Sequence, residues 1–166
     1  MITLVLGGAR SGKSAVAEHL AADAARAGGS VTYVATAVAT DDDMAARIGA
    51  HRARRPAGWT TVEAAGVDLP ALLSSAHGVV LLDALGTWLA GAAGFEVDAD
   101  GLCRALIDRV GDTVVVSEEV GLGVHPSTDV GRRFRDALGT LNQQVAAVAD
   151  DVLLVVAGRP LTLERP

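Results

Sequence analysis

The stretch GGARSGKS, residues 7–14, directly follows the apolar run ITLVL and opens an alanine-rich segment. Few folds accommodate it, because a glycine-rich turn ending in Lys-Ser needs a strand before it and a helix after it. Gly7-x4-Gly12-Lys13-Ser14 satisfies the pattern G-x-x-x-x-G-K-S/T at every position. The glycines let backbone N–H groups converge on phosphate oxygens, and the helix N-terminus adds positive potential. Lys13 is expected to reach the β- and γ-phosphates and the Ser14 hydroxyl to coordinate Mg²⁺. A nucleoside triphosphate is therefore the expected ligand. The loop alone does not say what is done with it.

The rest of the chain fits the fold that such a loop needs. Ile2–Leu6, Val31–Ala35, Val79–Asp83, Thr113–Ser117 and Val152–Ala157 are apolar runs of strand length, and Thr60–Glu63 is a weaker one. Continuous apolar runs suit strands buried on both faces. Lys13–Ala27, Met44–Arg54, Leu69–Ser74, Thr87–Ala92, Leu102–Val110 and Arg132–Ala149 read as helices, the first stopped by Gly28-Gly29. Residues 91–101 read as an exposed loop. Alternating strands and helices predict one α/β domain over residues 1–166, a mostly parallel sheet with helices on both faces. The core must be aliphatic, since half of the 166 residues are hydrophobic but only 3% aromatic.

The formal charge of −6 argues against a nucleic-acid partner, although HRARRP is locally basic. One cysteine, Cys103, cannot form an internal disulfide, so a reducing cytoplasm is expected. MITLVLGG lacks a basic n-region and is too short for a signal peptide or a membrane span.

Two further features carry chemistry. Asp83 ends the run GVVLLD, where a strand would deliver a carboxylate to the phosphate end of the sheet. It is a candidate for Mg²⁺, bound directly or through water; a helix cap is the plain alternative. In DDDMAARIGAHRARRP, Asp41 to Asp43 can cap a helix starting near Met44, and His51 is flanked by Arg47, Arg52, Arg54 and Arg55. Neighbouring cations disfavour an imidazolium and favour the neutral ring that a nucleophile needs. Arginines also clamp triphosphates. A lone histidine on a basic helix is ordinarily a solvated surface residue, and the residues alone leave both readings open.

GGARSGKS, YVAT, DDDMAARIGAHRARRP, TTVE, LLDALGTWL, SEEVGLGVHP, GRRFRDALGTLNQQVAAVAD and LLVVAG occur in this order from end to end. Together they resemble the bifunctional adenosylcobinamide kinase/adenosylcobinamide-phosphate guanylyltransferase family of cobalamin biosynthesis. The stretches R-I-x-x-H-x-x-x-R-P and E-V-G-x-G-x-x-P are far more specific than the P-loop. The resemblance implies a RecA-like P-loop NTPase fold and two reactions at one site. ATP or GTP phosphorylates adenosylcobinamide; GTP then gives GMP to adenosylcobinamide phosphate through a GMP–histidine intermediate, releasing pyrophosphate. The family histidine falls on His51, with Lys13 as the second catalytic residue. GTP contacts are implied at Gly7, Gly8, Ala9, Arg10, Ser11, Gly12, Lys13 and Ser14. Further contacts fall on Val34, Ala35 and Thr36, on His51, Arg52, Ala53 and Arg54, and on Glu63 and Asp83. Glu63 could pair with guanine N1–H and its 2-amino group, a pattern that adenine lacks. Ser14 and Asp83 are the implied Mg²⁺ ligands. A homotrimer with its site near a subunit interface is implied as well.

Other residues divide less sharply. Some relatives carry Glu where Asp83 stands, and Glu118 replaces an Asn before Glu119, whose role is open between fixing its loop and helping Mg²⁺ or corrinoid binding. His125 reads as a loop residue, His19 and His77 as surface residues, and Trp59 and Trp88 as packing anchors. The rival readings are another P-loop small-molecule kinase, with His51 uninvolved, and a GTP-gated binding module.

Overall fold

A computed structural model describes residues 1–26, 28–39 and 42–165; the side chains of Asp43, Met44, Arg47 and Arg54 also lie outside it. The expected caps Asp41 and Asp43 therefore fall outside the described structure. The elements run β1 (Ile2–Gly7), α1 (Lys13–Ala24), β2 (Val31–Ala35), α2 (Asp42–Arg54), β3 (Thr60–Glu63), α3 (Leu69–Ser75) and β4 (Val79–Asp83). They continue with α4 (Leu85–Ala90), α5 (Ala99–Asp108), β5 (Thr113–Glu118), α6 (Asp129–Val148), β6 (Asp151–Val156) and β7 (Arg159–Leu163). All seven strands form one sheet in the order β3-β2-β4-β5-β1-β6-β7, parallel except for β7 against β6.

The apolar runs alternate between two cores. Leu4, Leu6, Val80 and Leu82 pack with Leu69, Leu73, Leu102, Leu106, Leu138 and Leu141 of α3, α5 and α6. Val5, Val31, Tyr33, Val79, Leu81 and Val116 face the other way, onto Ala17 and Ala21 of α1. The central strands β1, β2, β4 and β5 are thus covered on both faces, which is why their sequences show no polar alternation. Alanines on α1 let that helix lie close to the sheet.

Two expectations are corrected. The last strand run ends at Val156, because Ala157 and Gly158 both have positive φ and turn the chain into β7. This hairpin was not foreseen: β7 is exposed throughout and carries Pro160, which an edge strand tolerates. With an edge strand beside it, β6 is only partly covered.

Helices α5 and α6 also start earlier than the apolar pattern predicts. The Asp98 carboxylate accepts from Gly101 N at 2.8 Å and the Thr128 hydroxyl from Gly131 N at 3.1 Å, so α5 and α6 begin in polar sequence. Residues 91–101 are less open than expected, since Phe95 of a short 3-10 turn (Ala93–Phe95) stacks edge-on against Phe134 at 5.4 Å. α1 ends at Ala24, short of the expected Ala27, and the turn after it reaches Gly28, whose φ is 84° and whose N–H bonds Ala25 O at 3.1 Å.

The register gathers chemistry at one edge. Ala35 lies opposite both Glu63 and Asp83, Asp83 opposite Val116, and Gly7 opposite both Glu118 and Val155. These are carboxyl ends of parallel strands, where open α/β sheets bind ligands.

Candidate active site

The loop between β1 and α1 is held from behind. Arg10 and Gly12 take φ of 57° and 92°, which curls the backbone into a cradle. A Cβ on Gly12 would lie 3.0 Å from Gly158 Cα, and Gly158 N donates to Ser11 O at 2.7 Å. The β6–β7 turn therefore braces the P-loop. Gly12, the N-cap of α1, has no side chain to cap the helix, and Lys13 N bonds only the neighbouring Ser11 Oγ at 3.3 Å, so the helix start can receive an anion. Lys13 Nζ donates to Gly8 O at 3.4 Å and lies 3.7 Å from Glu118 Oε1. Ser14 follows at the second helical position, half-buried.

A second cluster is built across β2, β4 and α2. His51 Nδ1 lies 3.4 Å from Asp83 Oδ2, and the Tyr33 hydroxyl donates to the same oxygen. Counting sequence neighbours placed only cations around His51; folding adds this anion. Burial alone would raise the Asp83 carboxyl. Hydrogen bonds from His51 and Tyr33, with the charges of His51 and Lys13, instead hold it below the usual carboxylate range. Burial and Asp83 push the Tyr33 hydroxyl well above the ordinary tyrosine range, with Arg55 opposing, so it remains a donor. Arg55 stacks over the Tyr33 ring at 3.5 Å from its centroid, and Trp59 packs beside it at 6.5 Å. Thr36 Oγ1 donates to Ala84 O at 2.6 Å and accepts from Ala84 N at 2.9 Å, which fixes the turn after Asp83.

Next to this cluster is an open pocket of about 370 Å³, lined by Arg52, Arg55, Pro56, Trp59, Thr61 and Glu63. Arg52 Nη2 donates to Glu63 Oε1 at 2.5 Å, and Arg55 Nη1 to Thr61 Oγ1 at 3.2 Å. Both ends of the Arg52–Glu63 pair are about half exposed, so a ligand can compete for either.

The structure thus brings together Gly7–Ser14, Thr36, His51, Arg52, Glu63 and Asp83. Val34 is fully buried in the core and Ala35 nearly so, leaving backbone as what they offer. Ala53 is exposed on α2, and the Arg54 side chain lies outside the described residues. Glu119 Oε1 accepts from Gly121 N at 2.5 Å and Leu122 N at 3.2 Å, so it fixes its own loop. His125 meets Arg135 at 2.9 Å and His19 meets Asp23 at 3.4 Å. Trp88 packs against the α3–α6 core, as expected of an anchor. Sequence reasoning missed Tyr33 and Gly158 as site builders, and named Arg55 only as one of the cations around His51. YVAT carried a signal for Tyr33, a lone aromatic in the strand that pairs with the strand ending in Asp83.

Among the described residues, no group of three or more His, Cys, Asp or Glu could by itself hold a metal ion. A family model described as cobinamide kinase / cobinamide phosphate guanyltransferase matches residues 3–163. The chain belongs to this family. It is an enzyme of cobalamin biosynthesis, with the family's kinase and guanyltransferase activities. It is 40% identical to the bifunctional adenosylcobalamin biosynthesis protein CobP of Pseudomonas aeruginosa, over 99% of this chain and 98% of that protein. Identity to the bifunctional adenosylcobalamin biosynthesis protein CobU of Salmonella typhimurium is 38%, covering 95% and 97%.

Among solved structures, flagellar accessory protein FlaH of Methanocaldococcus jannaschii superposes with a TM-score of 0.56 at 14% identity, covering 98% of this chain and 77% of that one. A KaiC-like protein of Pyrococcus horikoshii gives 0.53 at 12%, covering 92% and 69%. These two likenesses speak to the fold, a RecA-like P-loop architecture. Among the described residues, no helix is long and apolar enough to cross a membrane.

Proposed function

We propose that one triphosphate pocket serves both reactions through different phosphorus atoms. In the first, Gly7–Ser14 hold ATP or GTP and Lys13 neutralises charge on the γ-phosphoryl group as it passes to the aminopropanol hydroxyl of adenosylcobinamide. In the second, His51 attacks the α-phosphorus of GTP and pyrophosphate leaves. A phosphate oxygen of adenosylcobinamide phosphate then takes GMP from the histidine, giving adenosylcobinamide-GDP.

The observation that carries this reading is the Tyr33–Asp83–His51 chain beside the P-loop. Asp83 turns Nδ1 toward itself, so Nε2 is the nitrogen for attack, and the carboxylate stabilises the positive charge that the ring acquires. Arg52 and Arg55 supply positive charge on the same side. Glu63, by exchanging Arg52 for guanine N1–H and the 2-amino group, selects GTP.

The oxygen donors fit Mg²⁺ brought in with the triphosphate: Ser14 and Asp83 would hold it, since this ion takes few protein ligands besides phosphate and water. It would offset phosphate charge there. We place the enzyme in a reducing cytoplasm, as one domain over residues 1–166 assembled into a homotrimer, which light scattering would check.

Incubation with α-³²P-labelled GTP tests the reading. Acid-labile, alkali-stable label on the protein, absent in His51→Asn, is the expected result. Stoichiometric GTP binding without covalent label would overturn it.

A further inference from the structure

Glu118 sits at this edge without a task in the chemistry above. It ends β5 opposite Gly7, and its Oε1 lies 3.7 Å from Lys13 Nζ. Its other oxygen, Oε2, is buried and has no hydrogen-bond partner by distance and angle among the described residues. The carboxylate lies on Gly86 of α4, where a Cβ would overlap Oε2 and come within 3.0 Å of Cδ. The strand end that carries it is fixed: Asn142 Nδ2 donates to Glu118 O at 3.0 Å, and Ser117 Oγ donates to Asn142 Oδ1 at 2.6 Å.

Burial leaves a carboxylate's negative charge less well stabilised than water would, and such a group takes up a proton readily. Its surroundings agree. Burial raises the Glu118 carboxyl, Lys13 of α1 lowers it, Asp83 of β4 raises it, hydrogen bonds from the backbone of Glu118 and Gly86 lower it, and the net shift is upward. Position points the same way. A P-loop lysine grips β- and γ-phosphate oxygens. A hydroxyl ready to attack lies roughly 3–3.5 Å from phosphorus, with its proton acceptor roughly 2.6–3.2 Å beyond. A carboxylate next to that lysine stands about one hydroxyl group away from the γ-phosphoryl group.

We propose that Glu118 is the catalytic base of the kinase step, taking the proton of the acceptor alcohol. This rests on the phosphoryl-transfer reading above. The alcohol oxygen bonds to the γ-phosphorus, the bond from that phosphorus to the bridging oxygen breaks, and its electron pair leaves with the nucleoside diphosphate. The alcohol proton goes to the Glu118 carboxylate and then to water. The two reactions thus use separate proton-handling groups: Glu118 beside Lys13 for the γ-phosphate, and His51 with Asp83 for the α-phosphate.

The test compares Glu118→Gln with wild type in two assays: phosphorylation of adenosylcobinamide, and covalent labelling of the protein by α-³²P-labelled GTP. Glu118→Gln is expected to lower the kinase kcat about 10²-fold, the low end for a general base. The labelling rate falls at least about ten times less, since general-base loss is confined to the first step. The acidic limb of the kinase pH profile disappears in the variant, and Glu118→Asp recovers part of the rate. Equal losses in both assays would assign Glu118 to holding Lys13 and overturn the proposal. Wild-type kcat in the variant, or a rise in activity on release of Lys13, would overturn it too. If wild type itself labels but does not phosphorylate adenosylcobinamide, the kinase reading fails, and the base with it.

Discussion

Asp83 Oδ2 receives the Tyr33 hydroxyl and faces His51 Nδ1 at 3.4 Å, so one carboxylate oxygen joins a core tyrosine to the proposed nucleophile. Neither partner is near Asp83 in the sequence. The aspartate ends β4 and Tyr33 lies within β2, while His51 arrives on α2.

Replacing Asp83 with Asn keeps the shape and removes the charge that sets the ring tautomer. The rate of covalent GMP labelling is expected to fall about 10²- to 10⁴-fold, by analogy with triad aspartates. Rapid-quench labelling measures it, and a wild-type rate would count against the orienting role. Stability has its own signature. The folded-state value for Asp83 is depressed, so its contribution is present above the ordinary 3.8 and is lost as pH falls through the depressed value. The stability gap between wild type and Asp83→Asn should therefore close on acidification below that range.

Tyr33→Phe deletes one donor to Asp83 and leaves the ring under Arg55. Loss of a hydrogen bond to a charged group predicts destabilisation of about 1.5–3 kcal/mol, read from urea unfolding. Because the hydroxyl lowers the Asp83 carboxyl, its loss raises that carboxyl. The acidic limb of the labelling rate should then move to higher pH. An unmoved limb would detach Tyr33 from the nucleophile.

Glu63→Gln tests base selection. The pair with Arg52 is half exposed, so stability should change by less than about 1 kcal/mol. Discrimination should change more: a lost charged hydrogen bond of about 1.5–3 kcal/mol predicts a drop of roughly 10- to 100-fold in the preference for GTP over ITP, which lacks the 2-amino group. Competition kinetics on the labelling step reads this directly. Unchanged preference would place guanine elsewhere.

Gly86→Ala puts a methyl group where the Glu118 carboxylate rests. The carboxylate must leave, and kinase activity should fall with it toward the level of Glu118→Gln. Glu118 also titrates in the opposite sense to Asp83. Its folded-state value is raised, so the folded protein holds a proton that the unfolded chain has released. Stability therefore declines as pH rises from the ordinary 4.5 toward the raised value. Thermal unfolding across that window should show a steeper decline for wild type than for Glu118→Gln.

Local pattern decided much of this protein before folding is considered. The P-loop turn, the apolar strand runs and the basic helix around His51 depend on residues close in sequence, where steric preference and burial periodicity are legible. The helix starts at Asp98 and Thr128 were legible in principle as caps, yet polar residues there look like loop. The β6–β7 turn behind Gly12 was hidden because β7 is exposed and has no apolar run to announce it.

The site itself belonged to the tertiary structure. Asp83 meets His51 and Tyr33, and Glu118 meets Lys13 and Gly86, only because strand order places β4 beside β2 and β5 beside β1. Strand order is set by how helices cover the two faces, a property of the whole sheet. A carboxylate's duty follows from the groups it faces, and those groups are chosen by register across strands. The sequence named His51, Asp83 and Lys13; the sheet decided which groups they face.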